Sequence, residues 1–199
     1  KGEPAEIRKV LSIVYRISVC ISLLFSLGAL CCPEIIMSIF TNDAEVIAAG
    51  CRYLTVIGWV YPLYALGNNT IMLLRAVGTV RISLVVYSTS FMVNVFFNWV
   101  FIFGNLGAPR LEIQGAALAT AIARVGEFLI VAWFLFRREH KIQFRLHDLL
   151  RFDRVMFGAF VRAATPIIFN DMIWAIGNSM ITIIMGRMGK EFVAANSIN

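Results

Sequence analysis

Long apolar stretches separated by short polar ones set the pattern of this chain. A membrane span needs about 20 mostly apolar residues. Five segments meet that length: 11–32, 51–74, 82–103, 115–136 and 163–185. The second contains Gly58, Pro62 and Gly67. Gly and Pro are tolerated in membrane helices, so Pro62 is expected to kink this span rather than end it. Between the third and fourth spans the chain reads FGNLGAPRLEIQ, where Gly and Pro cluster in a tight turn. The pattern predicts an all-α, polytopic membrane helix bundle.

Composition supports that class. Hydrophobic residues make up 59% of the 199 and charged residues only 15%. A soluble domain carries about 25% charged residues, and one of this size has no means of hiding so much apolar surface. The bilayer is therefore the expected surrounding.

The connections alternate in charge. Twelve of the 18 Lys and Arg fall in one set of connections, among them Lys9, Arg75, Arg81 and the basic stretch from Arg137 to Arg162. Only Arg52, Arg110, Arg187 and Lys190 fall in the opposite set. By the positive-inside rule the N-terminus and residues 137–162 are expected in the cytoplasm, in a multi-pass protein of the plasma (inner) membrane. The net charge of +6 needs no nucleic acid, and none of that recognition chemistry appears.

Within the basic stretch, Leu146, Leu149, Phe152, Met156 and Phe160 recur at three- and four-residue intervals. That spacing predicts an amphipathic helix on the membrane surface, with a plain solvated linker as the alternative. The expected organisation is therefore 1–137 with four spans, 138–162 as connector, and 163–199 opening a further unit. The chain opens at Lys1 and stops at Asn199 without a closing helix, as expected of an internal piece of a longer protein.

No catalytic motif stands out: there is no nucleophile–base pair, HExxH, Walker motif or GxSxG. An enzyme is not expected. Cys20, Cys31, Cys32 and Cys51 form no CxxC pair and have no histidine nearby. They read as packing residues, so neither a metal nor a cofactor is expected.

Ionisable and amide groups inside spans carry the candidate chemistry, because each costs free energy in hydrocarbon. Arg16 lies near a span end and can extend to the interface. Arg124 and Glu127 are spaced to pair on one helix face, as a structural ion pair or as a charge lining a cavity. Asp171 has no cation within a helical turn, and Asn170, Trp174 and Asn178 are grouped with it. A carboxylate there can bind and release a proton or coordinate a cation, and an adjacent aromatic can hold an organic cation. The alternative is an interfacial Asp bonded to a neighbouring helix. Asn94 and Asn98 lie one turn apart, as interhelical glue or as the wall of a polar cavity.

Taken together, the run NVFFNWVFIFGNLGAPRLEIQGAALATAIAR resembles the signature of multidrug and toxic compound extrusion (MATE) transporters. There an Asn-rich helix leads into FG–GxP and then GAA-AT. Leu74-Arg75-Ala76-Val77-Gly78 is similar to the family's LRxxG turn. The stretch from Phe40-Thr41-Asn42-Asp43 to Tyr53-Leu54, and that from Pro166 through Trp174 to Gly189 and Ala194-Ala195, resemble its fourth and seventh helices. The resemblance implies twelve helices in two pseudo-symmetric lobes, of which these five are the third to the seventh. It further implies a monomeric transporter exporting organic cations or other xenobiotics against an inward flow of H⁺ or Na⁺. The alternatives are a lipid-linked oligosaccharide flippase of the same superfamily, or a non-transporting membrane scaffold or receptor subunit. Asn94 and Asn98 match polar positions of the fifth helix, the second being Asp in some members. Trp174 stands where some members carry Glu, and Glu112 where many carry Gly.

Overall fold

The computed structural model describes residues 4–138 and 153–188. Among these residues all regular structure is helical, with no strand. The helices are α1 (Pro4–Cys31), α2 (Pro33–Phe40), α3 (Ala44–Ile57), α4 (Tyr61–Ala76), α5 (Arg81–Phe103), α6 (Glu112–Arg137) and α7 (Arg154–Met188). Short 3₁₀ turns occupy Gly58–Val60 and Asn105–Gly107. Five stretches are long and apolar enough to cross a bilayer: Glu6–Cys31, Ala44–Ala76, Arg81–Phe103, Glu112–Arg137 and Arg154–Gly186. The expected five-span, all-α membrane bundle is therefore present.

Each boundary has a local cause. Pro33 opens α2, where its missing N–H and fixed φ fit the first helical turn. Asp43 caps α3 by accepting from the amides of Glu45 and Val46 at 2.9 and 3.3 Å. The second span is kinked rather than ended near Pro62, and it runs as one stretch from Ala44 to Ala76. Proline lacks the N–H that would bond the carbonyl four residues back, and its ring crowds that carbonyl. The chain tightens into the Gly58–Val60 turn and restarts as α4 at Tyr61. The Gly58 carbonyl instead accepts from the Ser26 hydroxyl on α1.

α6 packs against α3, α4 and α5, while α1 packs against α4. One stripe of α6 makes this possible. Gly115, Ala119, Ala123, Glu127, Val131 and Leu135 recur every fourth residue and all are buried. The small residues at its start let backbones approach closely, as membrane helix pairs require. A Cβ added at Gly115 would lie 2.7 Å from the Phe101 carbonyl carbon and oxygen on α5. At the other end of the stripe, Val131 and Leu135 join Leu11, Tyr15, Ile71, Leu74 and Val86 in the principal core.

Polar links stitch α1 to α4. Tyr15 bonds Thr70, and the Asn69 amide donates to the Ser18 hydroxyl at 2.7 Å. Cys20, Cys31 and Cys32 are exposed on the bundle surface, so the expectation that they pack inside does not hold for those three. Their helices are apolar all round, and hydropathy does not distinguish a lipid-facing cysteine from a packed one.

α7 lies beside α1 and α2. Lys9 at the start of α1 pairs with Asp153 at 2.9 Å, and Gly186 near the far end abuts the Phe40 carbonyl. The helix begins at Arg154, well ahead of the span boundary expected near Ala163. Met156 and Phe160, assigned above to a surface helix, thus belong to the same continuous helix as the fifth span. The remainder of that expected helix, with Leu146, Leu149 and Phe152, lies outside the described residues.

Candidate functional site: a polar seam between two spans

α5 ends where Gly104 takes the left-handed conformation (φ 74°) and closes the helix, its amide donating to the Val100 carbonyl. The turn then reverses the chain, and the Leu111 amide returns to bond the Phe101 carbonyl at 2.9 Å. α5 and α6 therefore run antiparallel from a fixed register, which lines up polar side chains across the seam. Ser90 faces Glu127, and Asn94 faces Thr120.

The resulting ladder is continuous. The Asn98 amide donates to Asn94 Oδ1 at 2.9 Å, and the Asn94 amide donates to Thr120 Oγ1 at 3.3 Å. Thr120 in turn donates to the Ala116 carbonyl at 2.9 Å. Asn98 Oδ1 is buried and has no hydrogen-bond partner among the described residues. Farther along, Glu127 Oε2 accepts from Arg124 Nη1 at 2.7 Å and from Ser90 Oγ at 3.3 Å. The Arg124 guanidinium also lies over the Tyr64 ring of α4, 4.7 Å from its centre.

The ladder borders a cavity of about 300 Å³ lined by Tyr87, Ser90, Phe91, Asn94, Thr120 and Arg124. A second cavity, about 400 Å³, opens between α1 and α4 beside Ser18, Ser22, Tyr61 and Tyr64. A third, about 410 Å³, is apolar and lies between α1, α4 and α6. Only the first gathers several of the residues singled out in the sequence.

The structure thus brings Asn94, Asn98, Arg124 and Glu127 into one seam. Asn170, Asp171, Trp174 and Asn178 stand elsewhere, on α7, which packs against α1 and α2. Asp171 is the midpoint of the 35-residue α7, deeper than a span starting at Ala163 places it. It has no ion-pair partner among the described residues. Trp174 is 72% exposed, and the Asn178 amide folds back to the Trp174 carbonyl at 2.8 Å. Among the described residues no group of His, Cys, Asp and Glu is arranged to hold a metal ion.

Ser90, Thr120 and Tyr64 are members of the seam that the sequence reading passed over. Ser and Thr are common in membrane helices, where they bond their own backbone. A signal was nevertheless present, since Ser90 precedes Asn94 by one turn on the same helix face.

Glu112 also finds an explanation. Its φ of 49° places it in the left-handed region that glycine enters without strain. The resemblance to MATE transporters sets Gly at this position in many members, and in this chain Glu112 holds it at a positive φ.

Comparison with known proteins agrees with this architecture. The MatE family profile matches residues 1–100. The "Probable multidrug resistance protein YoeA" of Bacillus subtilis is 25% identical over 174 residues, covering 82% of this chain and 38% of its own length. The "Probable multidrug resistance protein NorM" of Geobacillus kaustophilus is 29% identical over 178 residues, covering 85% of this chain and 37% of its own. A solved structure, "Inward-facing conformation of a multidrug resistance MATE family transporter of the MOP superfamily", shares the fold with a TM-score of 0.57 at 18% identity. It is matched over 92% of this chain and 43% of that one. The chain spans less than two fifths of the length of these curated relatives. It belongs to the MatE family of membrane transporters, and not to a class of enzymes.

Proposed function

We propose that the parent protein is a secondary active multidrug efflux transporter that exports organic cations and other xenobiotics by antiport with H⁺ or Na⁺. The observation that carries this reading is the amide–hydroxyl ladder Asn98–Asn94–Thr120, bordering a cavity at membrane depth. Polar groups in a span are costly unless they bond one another or line a cavity, and this ladder bonds internally while Asn94 and Thr120 line one. The acceptor left open at Asn98 Oδ1 is a place for a donor or a coupling cation to arrive.

Asp171 is the second element. A carboxylate halfway along a spanning helix faces protein or a water-filled cavity, because facing hydrocarbon is too costly. In this reading it binds and releases the coupling ion, and Trp174 beside it offers an aromatic face to a cationic substrate. Residues 1–137 form part of one lobe and α7 opens the next, in the plasma membrane with the start of α1 facing the cytoplasm. Rocking of one lobe against the other then moves the site between the two sides. The transporter works as a monomer.

Everted vesicles containing the full-length parent provide the test. Uptake of a fluorescent organic cation is followed under an imposed proton or sodium gradient, for wild type and Asp171→Asn. Gradient-driven uptake that disappears in D171N is the expected result. Uptake unchanged in D171N would remove Asp171 from coupling. Absence of uptake under either gradient, with flipping of a lipid-linked oligosaccharide in the same vesicles, would replace the efflux reading.

A further inference from the structure

We propose that Arg124 makes the α5–α6 cavity a receptor for the carboxylate of an aromatic substrate. The Arg124–Glu127 pair is one-sided: Glu127 is 3% exposed and sits behind the wall, whereas the Arg124 side chain is 37% exposed and lines the cavity. The cavity therefore meets the guanidinium and not the carboxylate that balances it. Among the described residues no carboxylate lines that wall, and its other polar members are neutral: Tyr87, Ser90, Asn94 and Thr120.

The guanidinium is held in place from two sides. Nη1 donates to Glu127 at 2.7 Å, and the group rests over Tyr64 at 4.7 Å. A guanidinium has five N–H donors in a rigid fork, so the bond to Glu127 leaves donor capacity for a second acceptor. The planar fork matches a carboxylate, which it binds with two parallel hydrogen bonds. Phe91 and Tyr87 add ring faces beside it, suited to an aromatic body. About 300 Å³ is at the low end for a ligand pocket, room for the acid-bearing ring of a larger molecule. A bare cation at this wall would instead meet a fixed positive charge.

The inference rests on the efflux reading and narrows it: this lobe selects for an acidic group, whatever cation Asp171 attracts on α7. The probes are a rhodamine with a free carboxylate and the same rhodamine as its methyl ester, which differ only in the acid. Binding to the purified full-length parent is read by fluorescence anisotropy, and transport is followed separately in proteoliposomes. Charge-assisted hydrogen bonds of this kind correspond to about tenfold or more in affinity. R124Q is expected to lower the acid-to-ester affinity ratio by about that factor, and R124K by less, because it keeps the charge but loses the fork. E127Q is expected to raise the ratio, since it removes the carboxylate that competes for the guanidinium; a purely structural pair would not show this. Variants that weaken both rhodamines alike, or leave the ratio unchanged, would overturn the proposal. Should R124Q not fold, R124K and E127Q decide it. An intact binding ratio without gradient-driven transport would discard the efflux reading and keep the carboxylate site.

Discussion

The Ser26 hydroxyl on α1 donates to the Gly58 carbonyl, the acceptor that Pro62 leaves without its usual helical N–H. The bond joins a backbone kink in one span to a side chain of another. It satisfies a polar group that has no water to turn to in a bilayer.

Removing Ser26 should therefore matter only while Pro62 is present. S26A is expected to destabilise the bundle by about 1 kcal/mol, the scale of polar contacts between membrane helices. In a P62A background residue 62 regains its N–H, and the cost of S26A is expected to shrink towards zero. A double-mutant cycle on unfolding in mixed detergent measures this. Equal costs in both backgrounds would show that Ser26 does not serve the kinked helix.

The approach of Gly115 to the Phe101 carbonyl leaves no room for a methyl group. Since the obstacle is backbone, G115A is expected to push α5 and α6 apart and cost about 1–3 kcal/mol. G126A is the control, because a Cβ there meets nothing within 4 Å. It should be neutral or stabilising by up to about 1 kcal/mol, from helix propensity. Thermal midpoints of the two variants, compared side by side, check the contrast.

Glu112 at φ 49° is held in a conformation costing an L-residue about 1–2 kcal/mol. E112G relieves that strain but frees the unfolded chain by about 0.5–1 kcal/mol, so a small net gain is expected. E112V should be clearly worse than wild type, as a β-branched residue at positive φ is the poorest fit. Its exposed ion pair with Arg110, at 3.6 Å, contributes little either way. The order Gly, Glu, Val in unfolding midpoint is the readout.

Asp153 responds to pH with a definite sign. The hydrogen bond from Lys9 is the largest influence, with the Met156 amide next, and together they hold its carboxyl below the usual carboxylate range. A depressed pKa stabilises the fold above the unfolded value, and that stability is lost as pH falls through the folded value. The attachment of α7 to α1 is therefore constant near neutrality and loosens only in acid below about pH 4. D153N keeps a capping side chain but removes the charge, so the acid limb should flatten. High salt should weaken the same contact, since both partners are exposed. Hydrogen exchange at the start of α7, followed against pH, tests both statements.

Much of the fold is legible in the amino-acid sequence. Span number follows from the fixed thickness of the bilayer, and FGNLGAP announces its turn through residues that tolerate unusual backbone angles. The i,i+3 spacing of Arg124 and Glu127 foretold their pairing, and the resemblance to MATE transporters agrees with the MatE match. The start of α7 was less legible. Its polar first turns look like a surface segment, although helical hydrogen bonding continues through them.

Sequence alone determined the all-helical membrane class, the five spans and which of them carry amides and charges, because hydrocarbon penalises every polar residue in a span. Only the tertiary structure decided which faces meet. Spanning helices are apolar on every side, so hydropathy carries no direction around the helix axis. Packing alone buried Glu127 behind Arg124, set Asn94 against Thr120, gave the Gly58 carbonyl to Ser26, and laid the helix of Asp171 beside α1 and α2.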